Sequence, residues 1–353
     1  QAPATTPRNH MAEPNNPSNN THPLPRPLGQ RQVHPLGLGC MGRSEFYGRT
    51  DDAQSLATLH MAHGLGVNHF DTADAYGFGH NESLLGRFLR ELSPGQRAQV
   101  TVATKFGIVR EPGRYERRID NSPAYIRQAC DASLQRLGVE RIDLYYCHRR
   151  DPAVPLEELM GTLADLVRAG KIAAVGLSEV SAESLRAAHA LHPVAAVQSE
   201  YSLWERGAEQ AVLPTAQALG IAFVAYSPLG RAFLTDQPPV VDALAPDDFR
   251  RALPRFNGAE GQANHSLQQG LAQLAQSAGL PVTTLALAWM LHRHPHVLPI
   301  PGTRRSQHLQ QNLAAAQATL PAEVMDALDA LFAPGRVAGA RYTEAGWVGI
   351  EGS

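Results

Sequence analysis

Residues 172–227 read IAAVGLSEVSAESLRAAHALHPVAAVQSEYSLWERGAEQAVLPTAQALGIAFVAYS. Three apolar runs lie in this stretch, at 172–178, 194–200 and 221–227, and a helix-like segment separates each pair. The runs are nearly continuous in apolar residues rather than alternating, which is typical of strands buried on both faces of a helix-covered parallel sheet. The stretch therefore predicts three parallel strands joined by helical crossovers.

The same pattern extends along the chain from residue 33 onward. Five further apolar runs are HPLGLG (34–39), VNHFD (67–71), VTVATK (100–105), IDLYYCH (142–148) and VLPIPG (297–302). Helix-start signals lie between them, such as Asp51 and Asp52 before an apolar segment and Pro123 at a first helical position. Eight strands alternating with helices predict a single (β/α)8 TIM barrel, an α/β fold, with a doubly wound open sheet as the alternative.

Three segments fall outside this repeat. Residues 1–27 are rich in Pro and Asn and are predicted to be a disordered or extended segment before a barrel domain at 28–353. Met11 is a candidate native start, in which case residues 1–10 are a cloning remnant; the alternative is that residues 1–10 are native. Residues 27–33 predict a small hairpin on the barrel floor, and the long aperiodic connection 228–264 predicts a functional loop such as a lid.

Composition excludes several classes of function. The 353 residues are 43% hydrophobic and 18% charged with a net charge of −2, so no basic excess indicates nucleic acid or an anionic membrane as a partner. No apolar run approaches the ~18 residues of a membrane span, and residues 1–27 lack the apolar centre of a secretory signal. The three scattered cysteines predict no disulfide framework and no metal site, and fit a reducing cytoplasm.

Polar residues follow nearly every apolar run. In a barrel of this kind the chemistry lies at the carboxyl ends of the strands. The polar strand ends are Asp71, Lys105, His148, Ser178 with Glu179, Gln198 with Glu200, Tyr226 with Ser227, and Gly302 with Thr303. Their repeated placement predicts a ring of active-site residues.

Four residues of this region form a candidate proton-transfer set. Tyr76 lies on the loop after Asp71, and Lys105 and His148 end the next two strands. A nearby ammonium lowers the pKa of a phenol, a carboxylate would hold that ammonium, and the histidine would orient a carbonyl oxygen. Alone, each has an ordinary alternative role: a helix cap, a rim aromatic, an ion-pair or Schiff-base lysine, and a structural histidine or a member of a solvated charge cluster with the following RRD (149–151).

The stretch GLGCMG (37–42) matches the G-x-G-x-x-G dinucleotide fingerprint. That fingerprint requires a helix opening on the glycines and an acidic residue about 20 positions on. Neither follows here, because a polar loop comes next and the first plausible helix starts at Thr50-Asp51. A Rossmann fold is therefore not predicted from this motif.

At these residues the chain resembles the aldo-keto reductase superfamily, and most closely its bacterial branch related to the β-subunits of voltage-gated potassium channels. The resemblance runs from about Arg26 to the end. Its motifs are LGLGCMG (36–42), GVNHFDTADAYGFGHNESLLG (66–86), VATKFG (102–107), RIDLYYCHRRDP (141–152), GKIAAVGLSEV (170–180), AAVQSEYSLWER (195–206), YSPLGRAFLT (226–235) and PIPGTRRSQHLQQN (299–312).

The resemblance implies a barrel that binds NADPH and transfers a hydride to an aldehyde or ketone. It implies a catalytic tetrad of Asp71, Tyr76, Lys105 and His148, with Tyr76 as general acid. The residues implied to bind the cofactor are Gly39 and Met41 beside the nicotinamide, Ser178 and Gln198 at its carboxamide, Tyr226 stacked on its ring, Ser227, Leu229 and Arg231 over the pyrophosphate, and Gly302, Thr303, Arg304, His308, Gln311 and Asn312 at the adenosine end.

Five positions depart from the common pattern of this superfamily. Glu179 stands where Asn is frequent, Ala232 and Asp236 where Gly is common, His308 where Arg or Lys is common, and Gln311 where Glu often holds the adenine amine. The added Cβ of Ala232 and the charge of Asp236 are expected to weaken phosphate binding. The chemistry itself is expected to be unaffected.

Preference for NADPH over NADH requires donors and positive charge for the 2′-phosphate. Thr303 and Arg304 precede a helix predicted to begin near Ser306, where backbone N–H groups favour an anion. Arg305 is a weaker candidate, and a protonated His308 would strengthen NADPH binding as pH falls through about 6.5. The alternative is a dual-specificity enzyme in which Arg304 and Arg305 are solvated.

The substrate is a small-molecule carbonyl compound whose identity the sequence does not specify. Pocket walls are predicted from loops 43–48 and 107–118 and from the C-terminal tail, and the candidate substrate residues are Phe46, Tyr47, Trp204, Arg341 and Tyr342. Ordinary loop packing is the alternative for each. The rival functions are a cofactor-occupied redox sensor or accessory protein with weak catalysis, and a Schiff-base aldolase using Lys105.

Overall fold

Eight parallel strands form one curved sheet in the computed structural model, which describes residues 23–352. They are β1 (Leu38–Gly39), β2 (His69–Asp71), β3 (Thr101–Phe106), β4 (Leu144–Cys147), β5 (Val175–Ser178), β6 (Val194–Glu200), β7 (Ala222–Tyr226) and β8 (Val297–Pro299). Each strand pairs with its neighbour in the sequence. The predicted (β/α)8 barrel is confirmed.

Backbone hydrogen bonds close the sheet between its first and last strands. The N–H of Gly37 donates to the carbonyl of Pro299 at 3.0 Å, and that of Gly39 donates to Pro301 at 3.3 Å. A Cβ on Gly39 would lie 2.7 Å from the carbonyl oxygen of Ile300, closer than any side chain tolerates. The second glycine of GLGCMG is therefore required by the closure of the barrel.

Helices cover the outer face of the barrel and account for the continuous apolar strands. They are α1 (Asp52–Gly64), α2 (His80–Glu91), α3 (Pro94–Gln99), α4 (Pro123–Leu137), α5 (Leu156–Arg168), α6 (Ala182–Leu191), α7 (Val212–Ala218), α8 (Gly258–Ala278), α9 (Val282–Arg293), α10 (Ser306–Ala314) and α11 (Ala322–Leu331). The predicted start of α1 is confirmed, since the Asp51 side chain accepts from the N–H of Gln54 at 2.8 Å.

A hairpin closes the amino-terminal end of the barrel, as predicted. Strands Arg26–Leu28 and Arg31–Val33 pair antiparallel, and Leu28 and Val33 pack into the apolar interior of the barrel. Arg26 donates to the carbonyls of Leu291, His294 and Val297, which ties the hairpin to the end of α9. Residues 1–22 of the segment predicted at 1–27 lie outside the described residues, and its last two residues, Arg26 and Pro27, belong to the first strand of the hairpin.

The connection after β7 contains three short 3-10 helices, at Val241–Ala243, Phe249–Ala252 and Pro254–Phe256. Helix α8 begins at Gly258, six residues before the predicted end of the loop. Its first turns, GAEGQAN, contain two glycines and no large apolar residue, so helical periodicity is absent from the sequence there. The N–H of Phe249 donates to the carbonyl of Phe46 at 3.0 Å, which joins this loop to the loop after β1.

No single helix between residues 23 and 352 is both long and apolar enough to cross a membrane. Helices α8 and α9 satisfy the length and composition criteria only as a pair, and they are bent by 86° relative to each other. Residues 282–291 of α9 are all buried, because this helix packs between the outer face of the barrel and the neighbouring helices α8 and α10.

Candidate active site

A cavity of about 670 Å³ opens at the carboxyl ends of the barrel strands. Three of the four predicted catalytic residues line it, namely Asp71, Tyr76 and His148, and Lys105 lies fully buried behind them. All the predicted cofactor residues also line it: Gly39, Met41, Ser178, Gln198, Tyr226, Ser227, Leu229, Arg231, Gly302, Thr303, Arg304, His308, Gln311 and Asn312. The strand ends thus converge on one cavity.

Lys105 connects the carboxylate and the phenol of the predicted set. Its ammonium is hydrogen-bonded to Asp71 and donates to the carbonyl of Thr72 at 2.8 Å and to the Tyr76 hydroxyl at 3.4 Å. Although burial lowers the pKa of Lys105, the charge of Asp71 raises it above its ordinary value. Lys105 is therefore held as a cation next to the phenol.

His148 lies edge-on to Tyr76, with ring centroids 5.8 Å apart and an interplanar angle of 83°. Burial, together with the charges of Arg149 and Lys105, holds the pKa of His148 well below its ordinary value. Its Nδ1 atom is buried and has no hydrogen-bond partner in residues 23–352. A neutral imidazole at this position can donate one hydrogen bond to a ligand.

The pKa of Tyr76 shifts against the simple sequence-based expectation. Burial raises the pKa of the phenol, and the attraction of Lys105 opposes this increase without overcoming it. The prediction that a nearby ammonium lowers the pKa holds for the contribution of Lys105 but not for the net shift. Desolvation makes the larger contribution to the pKa of Tyr76, because the phenol lies in a low-dielectric pocket where a charged phenolate is costly.

The side chains predicted to hold the nicotinamide carboxamide already have protein partners. Gln198 donates from Nε2 to the second carboxylate oxygen of Asp71 at 2.9 Å, which links β6 to the Lys105 cluster. The Ser178 hydroxyl accepts from Arg149 at 3.1 Å. Both side chains are therefore fixed in orientation at the cavity wall.

Glu179 is bound by the C-terminal segment of the chain. Its carboxylate accepts from both terminal nitrogens of Arg341, at 3.0 and 3.2 Å, and from the Tyr226 hydroxyl at 2.7 Å. Burial would raise the pKa of Glu179, but the charges of Arg341 and Arg149 keep it below its ordinary value. The departure from Asn at this position thus coincides with an ion pair behind the Tyr226 ring.

At the other end of the cavity, arginines tie the loops to one another. Arg304 donates to the carbonyls of Tyr47 at 2.7 Å and Arg49 at 2.8 Å. Arg43 is 1% exposed and donates to the carbonyl of Thr303 at 2.7 Å. Each terminal nitrogen of Arg304 therefore gives one hydrogen bond to the loop after β1, and its second N–H remains available to a ligand.

The loop after β7 has a left-handed backbone at several residues other than glycine. Ser227, Arg231 and Ala232 have φ values of 49°, 58° and 72°. Such conformations favour glycine, because a Cβ is disfavoured there by about 1–2 kcal/mol. Ala232, singled out as a departure from glycine, therefore occupies a position where glycine would relieve strain.

Two further departures, Asp236 and His308, both line the cavity and interact through their charges. Asp236 accepts from the N–H of Val282 at 2.9 Å and so satisfies a free donor of that helix. Burial and the charge of Arg305 lower the pKa of His308, and the charge of Asp236 only partly offsets this. The pH range in which His308 becomes charged therefore lies below the predicted value of about 6.5.

The candidate substrate residues separate into two groups. Phe46, Tyr47 and Tyr342 line the cavity, whereas Trp204 and Arg341 do not. Trp204 is 3% exposed and stacks on Phe233 at 4.1 Å, so it is a core residue beneath the loop after β7. For these two residues the structure favours a packing role over contact with substrate.

Five arginines at the cavity are absent from the sequence-based set: Arg43, Arg110, Arg117, Arg149 and Arg250. The loops that carry the first three were predicted as pocket walls, but no local pattern indicates which side chains point inward. Arg149 follows His148 directly and its sequence context, RRD, was interpreted only as a solvated charge cluster. Its burial, with 4% exposed, depends on the barrel.

Comparison with known proteins identifies the family. Residues 35–333 match the Aldo/keto reductase family. The chain superposes on a glycerol dehydrogenase from Gluconobacter oxydans with a TM-score of 0.79 at 30% identity, covering 88% of this chain and 95% of that one. An aldo-keto reductase from Bacillus halodurans in its holo form gives a TM-score of 0.69 at 26% identity, covering 92% and 99%. The chain therefore belongs to the aldo/keto reductase family and is an oxidoreductase.

Proposed function

We propose that the chain reduces an aldehyde or ketone to an alcohol with NADPH, and that Tyr76 is the general acid. The observation that carries this proposal is the position of the Lys105 ammonium, hydrogen-bonded to Asp71 and 3.4 Å from the Tyr76 hydroxyl at the cavity wall. When bound, NADPH supplies the hydride. Tyr76 gives its proton to the carbonyl oxygen, where negative charge develops.

The other three residues assist this proton transfer. Lys105 stabilises the phenolate that Tyr76 becomes, and Asp71 fixes the ammonium. Neutral His148 donates a hydrogen bond that orients the carbonyl oxygen toward the phenol. Because Lys105 and Asp71 are already in contact, the charges need little reorganisation during the reaction.

The cavity residues fit a dinucleotide along its length. Ser178 and Gln198 present polar atoms for the carboxamide, Tyr226 offers an aromatic face, and residues of the loop 227–236 and of α10 line the rest of the cavity. The buried Asn312 Oδ1 lines the cavity side of α10 and has no partner in residues 23–352, as required of an acceptor for an adenine amine. Selectivity for the 2′-phosphate is assigned to Thr303 and Arg304.

A Schiff-base aldolase is disfavoured by the state of Lys105. The ammonium is fully buried, bound to Asp71 and the carbonyl of Thr72, and has a raised pKa. An amine nucleophile must be neutral. Lys105 therefore acts as a fixed charge rather than as a nucleophile.

Multiple-turnover oxidation of NADPH with a panel of small aldehydes and ketones tests the proposal. We expect at least one carbonyl compound to be reduced well above the enzyme-free blank. NADPH binding measured by fluorescence provides the control. Binding without turnover on any substrate would contradict the reductase and favour the alternative, a cofactor-occupied sensor or accessory protein.

We also infer the narrower placement of the chain within its family and cell. The motifs around Tyr76 and His148 favour the bacterial branch related to the potassium-channel β-subunits. Cys40, Cys130 and Cys147 are all buried and unpaired, which fits a reducing compartment such as the cytoplasm. If a thiol reagent labels all three cysteines after unfolding without a reductant, and none before it, the cysteines are free and buried as assigned.

A further inference from the structure

Three arginines lie on the side of the cavity next to His148. Arg110 and Arg117 are cross-strand partners on the hairpin Ile108–Arg110 and Arg117–Ile119, which rises from the loop after β3. Arg149 follows His148 beyond the end of β4. All three line the cavity.

Only one of the three has a carboxylate partner. Arg110 binds both oxygens of Glu45, at 2.7 and 2.9 Å. Between residues 23 and 352, no carboxylate lies within ion-pair distance of Arg117 or Arg149. The charge of Arg110 is therefore balanced within the protein, whereas the other two charges are not.

The hydrogen bonds of these two arginines all go to neutral acceptors. Arg117 donates from Nη2 to the carbonyl of Gly346 at 2.8 Å. Arg149 donates from Nη1 to the carbonyl of His148 at 2.7 Å and to the Ser178 hydroxyl at 3.1 Å. The Nε atoms of both are buried without a partner in the described part of the chain. Two incompletely bonded guanidinium groups thus face one cavity wall.

An unpaired buried cation is costly, and the two charges also repel each other. Arg149 is 4% exposed. Burial of Arg117 lowers its pKa, and the charge of Arg149 lowers it further. Although burial lowers the pKa of Arg149, Tyr226, Tyr342 and Glu179 together raise it above its ordinary value, so Arg149 stays a cation. Glu179 itself is hydrogen-bonded to Arg341 rather than to Arg149. A buried cation of this kind is retained at a site where a ligand brings the opposite charge.

We propose that Arg117 and Arg149 bind an anionic group on the carbonyl substrate, so that the preferred substrates are oxo acids or phosphorylated aldehydes. This inference rests on the proposed reductase function. The cofactor does not supply the anion, because Arg149 contacts the strand end of Ser178, where a neutral carboxamide is expected, and the phosphates are assigned to the opposite end. The planar guanidinium fork suits both carboxylate and phosphate oxygens.

Matched substrate pairs test the proposal. The values of kcat/KM are compared for 4-oxobutanoate against butanal, and for glyceraldehyde 3-phosphate against glyceraldehyde. We expect the anionic member of at least one pair to lead by about 10- to 100-fold, the range for a hydrogen bond to a charged group. The two pairs distinguish a carboxylate site from a phosphate site.

Variants assign the preference to the two arginines. Arg117→Gln and Arg149→Gln are expected to reduce the anionic-to-neutral ratio about tenfold or more, and Arg117→Lys to retain part of it. The matched control is Arg118→Gln, because Arg118 is the next residue on the strand and its side chain is 65% exposed. Thermal unfolding verifies that each variant is folded, and Arg117, on a peripheral hairpin, carries the test if Arg149→Gln fails to fold.

Two outcomes overturn the proposal. Equal kcat/KM values within both pairs, or a preference that survives Arg117→Gln, would show that these arginines do not bind the substrate anion. Reduction of butanal without any anionic preference would leave the proposed reductase intact. Failure of every substrate in both pairs and in the wider panel would remove the reductase and, with it, this inference.

Discussion

The two ends of the cavity hold their side chains in different ways. Around Lys105, the polar groups come directly from strand ends and bond to one another, as Gln198 does to Asp71 at 2.9 Å. At the α10 end, the side chains come from loops and bond to the carbonyls of other loops, as Arg304 does to Tyr47. The first arrangement is fixed by the hydrogen-bond ladder of the barrel, and the second depends on contacts between loops.

This difference predicts how each end responds to change. A substitution in the strand-end cluster leaves a buried charge or donor without its partner, and the rigid barrel cannot reposition a substitute. A substitution among the loops changes contacts that the backbone is able to rearrange. We therefore expect the largest effects at Lys105 and Tyr76 and smaller effects at Arg304, Ala232 and His308.

Replacing Lys105 with Met should have the largest effect. Asp71 would lose its cation in a fully buried site, which costs about 3–5 kcal/mol of unfolding free energy. The rate should fall by at least about 10²-fold, and the pKa of Tyr76, already raised by burial, should rise further. Urea unfolding and the pH profile of kcat measure these effects.

Lys171→Met is the matched control for that experiment. Lys171 is the only other lysine of the chain and pairs with Asp131 on the surface, where the two side chains are 39% and 57% exposed. We expect a change of about 0–1 kcal/mol. Equal losses in the two variants would contradict the contrast between the buried cluster and the surface.

Replacing Tyr76 with Phe removes only the hydroxyl. We expect kcat for aldehyde reduction to fall by about 10²–10⁴-fold, with NADPH affinity nearly unchanged. Tyr145→Phe on β4 is the control, because its hydroxyl is buried without a partner in the described residues. Near-full turnover by Tyr76→Phe would exclude this residue as the acid.

Arg304→Ala distinguishes a phosphate ligand from a loop tether. If Arg304 binds the 2′-phosphate, wild-type kcat/KM should favour NADPH by about tenfold or more, and the variant should lose about 1.5–3 kcal/mol with NADPH and little with NADH. Arg305→Ala should lose little with either cofactor. An equal loss with both cofactors would instead assign Arg304 to the tether seen between it and Tyr47.

Ala232→Gly should raise stability slightly, because the residue has a φ of 72°. We expect a gain of about 0.5–1 kcal/mol in thermal or urea unfolding, together with tighter NADPH binding. The same substitution at the exposed Ala187 of α6 should cost about 1 kcal/mol, because glycine weakens a helix. A loss at Ala232 would show that the strain is not relieved by glycine.

The pH dependence at His308 should be the smallest effect. Because its pKa is lowered, His308 is neutral at pH 7 and gains charge only below its ordinary pKa of about 6.5. Its contribution to NADPH affinity should therefore grow as pH falls from 6.5, by about 0.2–1 kcal/mol. Measuring the Kd for NADPH between pH 5 and 8, for the wild type and for His308→Gln, isolates this contribution. Parallel pH profiles for the two proteins would show that His308 makes no such contribution.

The sequence determined the barrel and the location of its chemistry. Continuous apolar runs ended by polar residues placed the strands correctly, because burial on both faces selects the same residue types throughout a parallel barrel. The start of α10 at Ser306, directly after the last strand and its loop, was also predicted. The predicted boundaries were less accurate where the sequence lacks hydrophobic periodicity, as at the start of α8.

Only the tertiary structure decided which side chains neutralise one another. Glu179 meets Arg341 across 162 positions, and Arg304 meets Tyr47 across 257. Arg149 is a buried cation at the cavity only because the closed barrel places the end of β4 at the cavity wall. Such contacts join loops whose relative positions follow from the closed barrel, so no local spacing in the sequence encodes them, whereas strand ends are placed by the hydrophobic pattern itself.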